Sequence, residues 1–348
     1  MPDASRITPP VLLPGFPNPI TLSATVELDP AGLAFGAVAT SLPVRAEDNG
    51  RRLRLEPGER ANQDFIVRLR VGETPGSVAV REGTVAITLV PPVGAAPSRP
   101  RDVVLVLDRS GSMSGWKMVA ARRAAARIVD TLTDADTFAV LAFDHQIDYP
   151  DELPHALVPA NDRNRFRAVE FLAGLDARGG TEMLSPLQAG AGLLTTVGDR
   201  ERVLVLVTDG QVGNEDQILN AIAPGITGIR VHTVGIDTAV NGAFLTRFAS
   251  LTGGRCELVE SEDRLDAALR AIHHRIAAPL VTDLRVLDVA DLAPQPVPDL
   301  FPGAPLLLTG RHHGDIDTVT VVGKDVNGAE WRRTLPAHPS DNPALGAI

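Results

Sequence analysis

The sequence contains a single cysteine, Cys256, among 348 residues. A lone cysteine excludes an intramolecular disulfide. The lack of a disulfide does not identify the cellular compartment, because many exported proteins also lack disulfides. Within the apolar segment RCELV, we expect Cys256 to be a small buried strand residue and not a reactive thiol.

Long apolar runs are also missing. No window reaches the roughly 18 apolar residues that a membrane-spanning helix needs. The first residues, MPDASRITPPVLLPGFPNP, lack the basic segment and following apolar run of a signal peptide. The sequence therefore predicts neither a membrane span nor a signal peptide, and a cytoplasmic location if the N-terminus is the native one.

An excess of basic residues is absent as well. The 43 acidic residues outnumber the 33 lysines and arginines, which gives a formal net charge of −10. Nucleic-acid-binding proteins need a basic surface that displaces counterions from phosphates, so we expect no nucleic-acid partner. An acidic chain is compatible with cation binding. Hydrophobic residues make up 44% of the chain, which is enough for a sizeable core and argues against widespread disorder.

Two sequence patterns alternate along the chain and divide it into segments. After an irregular segment, 1–19, residues 20–99 show the period-two alternation and the Pro and Gly punctuation of a β-sandwich. The same pattern returns over 279–336 and is followed by a tail, 337–348. Each β segment is short for a sandwich of about 100 residues, so we predict one sandwich built from both. Two independent small β domains are the alternative.

Residues 101–278 alternate buried strands with helical patterns. The apolar runs expected to form parallel strands are DVVLVLD, TFAVLAF, RVLVLVTD and IRVHTVGID. Helical patterns separate them, and a last helix is predicted over 262–277. Helices on both faces of a parallel sheet define a doubly wound, Rossmann-like α/β domain, here inserted in or flanked by the β-sandwich.

Oxygen-bearing side chains follow the ends of these strands. Asp108 ends the first run, with Ser110 and Ser112 directly after it; Asp209 ends a later run, and Thr181 follows a Gly-Gly turn between them. Ligands of open α/β sheets bind at the carboxyl ends of the strands, so we expect the five side chains to converge. All five offer oxygen, which favours a hard divalent cation, Mg²⁺ or Mn²⁺, over zinc.

The charges of this set predict how such a cation would behave. Two carboxylates leave a divalent ion near neutral, and neutral hydroxyl ligands keep it electrophilic. An octahedral Mg²⁺ then retains positions for water or for an incoming ligand. A carboxylate from a partner is the natural sixth ligand.

Other interpretations of the same residues are possible. Ser and Asp are common at helix N-caps, so Ser112 or Ser114 could simply cap a helix over 114–132. The segment GSMSG differs from the nucleophile motif of hydrolases, because Met113 stands where that motif needs serine. No phosphate-binding loop of the G-x-x-x-x-G-K-[ST] type is present, which argues against ATP binding. The five oxygen-bearing residues lie on three separate loops, and this combination favours a metal site over the other interpretations.

The segments DRSGSMSGWK, GGTEM and VTDGQVGN resemble the von Willebrand factor type A domain and its metal-ion-dependent adhesion site. All five positions match in the family's order, over roughly residues 101–278. The resemblance implies that Ser110 and Ser112 contact the metal directly, that Thr181 joins when ligand binds, and that the aspartates act partly through water. Trp116 and Gly180 are expected at the rim that a partner meets, with packing in the core as the alternative for Trp116.

A narrower resemblance points to the inter-alpha-trypsin inhibitor heavy-chain type in a bacterial form, with β segments around its A domain. It lies in DFIVRLRV, AITLVPP, TDGQVGNEDQIL, RVHTVGIDTAVNGAFL and APLVTDLRV. We therefore expect a non-enzymatic module that binds an Asp or Glu carboxylate of a protein partner through Mg²⁺ or Mn²⁺. The alternatives are an accessory subunit of an ATP-driven chelatase or cofactor-insertion assembly, and a metal-dependent hydrolase.

Overall fold

The computed structural model describes residues 20–347 apart from 73, 93–98, 196–199, 266, 267 and 269–278. The described residues fall into two compact units, one within 97–278 and one that combines 9–96 with 279–348. The irregular segment predicted over 1–19 lies outside the described residues, as does most of the helix predicted over 262–277.

The first β segment forms seven strands within the described residues. They are β1 (Thr25–Glu27), β2 (Phe35–Thr40), β3 (Val44–Glu47), β4 (Arg52–Leu55), β5 (Val67–Val71), β6 (Gly76–Arg81) and β7 (Thr84–Leu89). β1, β4 and β3 form an antiparallel sheet in that order, and β2 pairs with β5. β6 and β7 form a hairpin whose turn residues, Glu82 and Gly83, both have positive φ.

The unit within 97–278 contains the alternating strands and helices. Its strands are β8 (Arg101–Asp108), β9 (Thr137–Phe143), β10 (Ile147–Asp148), β11 (Val158–Pro159), β12 (Glu201–Thr208), β13 (Arg230–Ile236) and β14 (Cys256–Val259). Its helices are α1 (Trp116–Asp130), α2 (Asp162–Ala173), α3 (Leu184–Leu193), α4 (Glu215–Ile222) and α5 (Gly242–Ser250). β9, β8, β12, β13 and β14 run parallel in that order, and the short β10 and β11 pair antiparallel with β9. The predicted doubly wound α/β architecture is confirmed.

The central strand β8 is buried along its whole length because both faces of the sheet are covered. Val103, Leu105 and Leu107 belong to one apolar core together with the buried alanines of α1. Val104 and Val106 belong to a second core on the opposite face, with α3 and α5. Alternate residues of a strand point to opposite faces, so a strand between two helical layers is apolar at every position. Every helix in the described ranges is too short or too polar to cross a membrane.

The second β segment joins the strands of the first. Its strands are β15 (Val281–Val286), β16 (Ala290–Ala293), β17 (Leu306–Arg311), β18 (Thr318–Asp325) and β19 (Glu330–Pro339). Together with β6 and β7 they form one seven-stranded sheet, in the order β15-β18-β19-β6-β7-β17-β16. β18 and β19 form a hairpin around Asn327-Gly328.

The tail predicted from residue 337 begins too early. β19 continues to Pro339, because Ala337, His338 and Pro339 pair in parallel with Val78–Val80 of β6. This boundary is therefore set by pairing with a strand that is distant in sequence, and not by the local sequence.

A buried ion pair fixes the start of the parallel sheet. Asp136, fully buried just before β9, accepts hydrogen bonds from the Arg101 backbone and guanidinium and from the backbone N–H of Thr133. Burial by itself raises the pKa of Asp136, but the hydrogen bonds and charge of Arg101 outweigh it and hold the pKa below its ordinary value. Asp136 thus aligns β8 and β9, the strands that lead to the opposite edge of the sheet.

We predict that Asp136→Ala lowers the free energy of unfolding by about 3–5 kcal/mol, because it leaves the Arg101 charge buried and unpaired. Denaturant unfolding measures the loss, and Asp134→Ala, at an exposed position of the same loop, is the matched control. Because the pKa of Asp136 in the folded protein lies below the ordinary value of about 3.9, the ion pair stabilises the fold fully above that pH. This stabilisation is lost as the pH falls further. The stability gap between wild type and Asp136→Asn should therefore narrow below about pH 4; a constant gap would contradict the assignment.

Candidate functional site

The carboxyl edge of the parallel sheet brings two of the predicted aspartates together. β8 ends at Asp108, and Asp209 directly follows β12, whose Val207 lies opposite Leu107 in register. Both aspartates are almost completely buried. The in-register ends of adjacent parallel strands therefore place both carboxylates at one edge, as the sequence predicted.

The loop after β8 gathers the two serines around Asp108. The Ser110 N–H donates to Asp108 Oδ1 over 2.8 Å, and the Thr208 hydroxyl donates to Oδ2 over 2.6 Å. Ser110 Oγ and Ser112 Oγ lie 3.1 Å apart. Ser110 is buried, whereas Ser112 is exposed. Asp108, Ser110 and Ser112 thus form one cluster of oxygen atoms that opens to solvent at Ser112.

The alternative that Ser112 or Ser114 caps the following helix is wrong. α1 begins at Trp116, and its N-cap is Gly115, which has φ of 78° and no side-chain cap. The Ser114 hydroxyl donates instead to the carbonyl of Gly111 over 2.6 Å. The Ser112 hydroxyl therefore stays with Ser110 at the site.

The loop that carries Thr181 is tied to the loop after β8 by two backbone hydrogen bonds. The Gly111 N–H donates to Gly179 O over 3.1 Å, and the Arg178 N–H donates to Arg109 O over 2.7 Å. Thr181 itself is exposed, and its hydroxyl makes no hydrogen bond with the described part of the chain. The structure thus brings the Thr181 loop against the Ser110 loop and leaves the Thr181 hydroxyl available to a ligand.

Asp209 is held by donors on both of its oxygens. Oδ1 accepts from the Gln211 N–H over 3.1 Å, and Oδ2 accepts from Lys117 Nζ over 3.2 Å. Lys117 Nζ also donates to Asp237 Oδ2 over 2.9 Å. Asp237 directly follows β13, the next strand of the sheet. Neither Lys117 nor Asp237 is among the residues that the sequence pattern identified for the site.

A fourth aspartate, Asp144, directly follows β9 on the other side of β8. It is fully buried and forms an ion pair with Arg178 at 2.7 Å, on the loop that carries Thr181. Burial favours a raised pKa for Asp144, but the hydrogen bond and charge of Arg178 prevail and lower it. The signal for Asp144 and Asp237 was present in the sequence, since each follows an apolar strand as Asp108 and Asp209 do.

Asp108 differs from these three because it lacks a counter-charge. Within the described ranges it forms no ion pair, whereas Asp144 pairs with Arg178 and both Asp209 and Asp237 pair with Lys117. Burial raises the pKa of Asp108 to about 6, against the opposing hydrogen bonds of Thr208 and Ser110, and the nearby charge of Asp209 adds to the rise. The ionised form of Asp108 is therefore less stable than that of an ordinary, solvated aspartate.

The donor set fits a hard cation. It combines carboxylate and hydroxyl oxygens, the ligands that Mg²⁺ and Mn²⁺ prefer, and it includes neither histidine nor thiol. Across the described ranges, no three His, Cys, Asp or Glu residues are arranged as a metal-binding group, so a site here depends on the hydroxyls. Of the two predicted rim residues, Trp116 is half-buried against an apolar core and Gly180 is exposed.

Comparison with known proteins identifies the α/β unit. Residues 101–258 match the family model of the von Willebrand factor type A domain. A solved structure described as von Willebrand factor type A from Catenulispora acidiphila superposes with a TM-score of 0.52 at 21% identity, over 77% of this chain and 72% of that one. The chain contains a von Willebrand factor type A domain.

Two curated relatives with similar sequences are much larger proteins. Inter-alpha-trypsin inhibitor heavy chain H4 of Homo sapiens is 28% identical over 282 residues, which cover 75% of this chain and 30% of that protein. Heavy chain H3 of Homo sapiens is 24% identical over 267 residues, covering 72% and 29%. The matched region thus spans less than a third of the length of these relatives, and it reaches beyond the type A domain of this chain.

We predict that Gly179→Ala destabilises the protein by about 1–2 kcal/mol, because Gly179 has φ of 70° and an added Cβ would lie 2.7 Å from His145 Nδ1. Gly180→Ala is the matched control, since nothing lies within 4 Å of its added Cβ, and we expect a change within about 0.5 kcal/mol. Denaturant unfolding of both variants makes the comparison. Equal effects would show that the loop is not held as described.

Proposed function

We propose that the type A domain is a protein-binding module that engages an Asp or Glu carboxylate of a partner protein through a bound Mg²⁺ or Mn²⁺. The proposed ligands are Asp108, Ser110, Ser112, Thr181 and Asp209. The observation that carries the proposal is the buried Asp108, without a counter-charge, beside the paired hydroxyls of Ser110 and Ser112. Domains of this class generally mediate protein–protein interactions, which agrees with this role.

The local contacts give each residue a part. Ser110 and Ser112 offer hydroxyl oxygens that already lie side by side. Both oxygens of Asp108 accept hydrogen bonds from the protein, which suits a carboxylate that acts on the ion partly through water. The exposed Thr181 is free to join when a partner arrives. The bound ion would supply an electrophilic centre that accepts a carboxylate oxygen.

A non-enzymatic role agrees better with the same contacts than a hydrolytic one. Met113, at the position where the nucleophile motif needs serine, is fully buried in the core. His145, which follows β9 and Asp144, is largely exposed, and its Nδ1 lies 3.1 Å from Asp144 Oδ1. No contact of the described residues favours the chelatase-subunit alternative.

The β unit is proposed to be a sandwich that carries the type A domain. Leu53 and Leu55 of the three-stranded sheet are buried, as are the alternating apolar residues of the seven-stranded sheet. The Ser77 hydroxyl of β6 donates to the carbonyl of Ala31, which links the seven-stranded sheet to the loop before β2. The burial within both sheets and this hydrogen bond are the observations behind the proposed sandwich.

We predict that saturating Mg²⁺ or Mn²⁺ stabilises the full chain. An ion that binds only the folded state adds about 2.7 kcal/mol at a hundredfold excess over Kd. Asp108→Asn should abolish the shift, and Ser112→Ala should reduce it by at least half. Thermal unfolding with and without metal measures the shift.

Ser114→Ala is the matched control for Ser112→Ala, because Ser114 lies in the same exposed loop but bonds to the Gly111 carbonyl. It should retain the full metal-induced shift. If wild type and Asp108→Asn melt identically in metal and in EDTA, the proposed metal site is wrong. If Asp108→Asn folds poorly, Ser112→Ala still tests the site, because Ser112 is exposed.

We further predict that Thr181→Ala weakens partner binding more than metal binding. Its hydroxyl is exposed and is proposed to join the ion only when ligand arrives. Partners captured from native extract in Mg²⁺ and released by EDTA provide the binding assay, and calorimetry with Mn²⁺ provides the metal affinity. Glu182→Ala, at the next exposed position, is the control. Equal losses of metal and partner affinity would contradict this role for Thr181.

A further inference from the structure

Lys117 places an ammonium group between two aspartates at the edge of the site. Its Nζ lies 3.2 Å from Asp209 Oδ2 and 2.9 Å from Asp237 Oδ2. The side chains are 13% exposed for Lys117, 1% for Asp209 and 15% for Asp237. This is a largely buried triad, and such pairs are screened by solvent and salt much less than surface pairs.

The position of Lys117 in its helix is unfavourable for a cation. It is the second residue of α1, and the first turn of this helix contains no acidic residue. The N-terminus of a helix carries a partial positive charge, which disfavours lysine there. The two carboxylates across the loop offset this cost, so the placement of Lys117 is explained by the sheet edge and not by the helix.

The charges around the proposed ion can be counted from these contacts. Asp108, Asp209 and Asp237 contribute three negative charges, and Lys117 contributes one positive charge. The net charge of −2 is matched by one divalent cation. Without the ammonium group, Asp209 and Asp237 would face each other uncompensated and the cluster would carry −3.

We propose that Lys117 is the built-in counter-charge of the metal site, which limits its affinity for divalent cations and disfavours trivalent ones. This inference rests on the proposed function, because it concerns the ion that Asp108 and the two serines would hold. It adds Lys117 and Asp237 as residues that set the affinity and the charge selectivity of the site without binding the ion. The competing explanation is that Lys117 only pins the β12 and β13 loops to α1.

The two explanations predict opposite results for Lys117→Met. Removing a positive charge from the buried cluster should tighten Mn²⁺ binding about tenfold and tighten binding of a trivalent lanthanide, La³⁺, by a larger factor, since the Coulomb energy scales with ionic charge. Asp237→Asn should weaken binding of both ions, because it removes a negative charge and because Lys117 then pairs with Asp209 only. Lys117→Arg keeps the charge and should remain close to wild type.

Isothermal titration of the full chain with Mn²⁺ and with La³⁺ measures these affinities, after EDTA treatment and a thermal melt that shows each variant to be folded. Asp216→Asn is the control for overall charge, because Asp216 is an exposed aspartate on α4 that pairs with Arg247. It should bind both ions as wild type does. Tighter binding by Lys117→Met together with weaker binding by Asp237→Asn would support the counter-charge.

Weaker binding by both variants would show a pinning role and overturn the inference, as would unchanged affinity in both. If Lys117→Met does not fold, the other two variants decide. An Asp237→Asn variant that binds Mn²⁺ as tightly as wild type overturns the inference. An Asp237→Asn variant that binds Mn²⁺ more weakly, together with a Lys117→Arg variant close to wild type, supports the inference. Failure of wild type to bind Mn²⁺ would instead reject the proposed function. The experiment therefore distinguishes failure of this inference from failure of the proposed function.

Discussion

The site is organised by the desolvation of carboxylates at one edge of a parallel sheet. Four neighbouring strands, β9, β8, β12 and β13, each end in or lead directly to an aspartate, and their register brings these residues to the same edge. A buried carboxylate is unstable without hydrogen bonds or a nearby positive charge. The loops that follow these strands supply such partners from the rest of the chain, and the form of the site follows from how each aspartate is compensated.

The compensation is uneven, and this unevenness separates the centre of the site from its surroundings. Arg178 pairs with Asp144 and thereby holds the loop that carries Thr181. On the other side, Lys117 joins the β12 and β13 loops to the start of α1. Only hydrogen bonds from Thr208 and Ser110 reach Asp108 within the described ranges. Asp108 is thus the one of these four aspartates that has no positively charged partner within the described ranges.

Much of this arrangement could be predicted from the sequence, because its signals are local. The apolar runs of β8, β9, β12 and β13 are continuous since both of their faces are covered, and the spacing of Asp108, Ser110 and Ser112 lies within one loop. The partners of the surrounding aspartates could not be predicted in this way. Lys117 meets Asp237 across 120 positions, and Arg178 meets Asp144 across 34, so only the folded chain defines these pairs. The end of β19 was mispredicted for the same reason, as its partner β6 lies far away in sequence.

The seven-stranded sheet imposes an order on assembly of the β unit. β19, the last of these strands in sequence, occupies an interior place between β18 and β6, so this sheet cannot close until β19 has been synthesised. The Ser340 hydroxyl also donates to Asp29, 311 positions earlier. Loop closure over such a separation slows folding, and an incomplete sheet presents open strand edges meanwhile. The contiguous α/β domain has no such dependence, so it can complete its fold on the ribosome while the hairpin of β6 and β7 still awaits its neighbours.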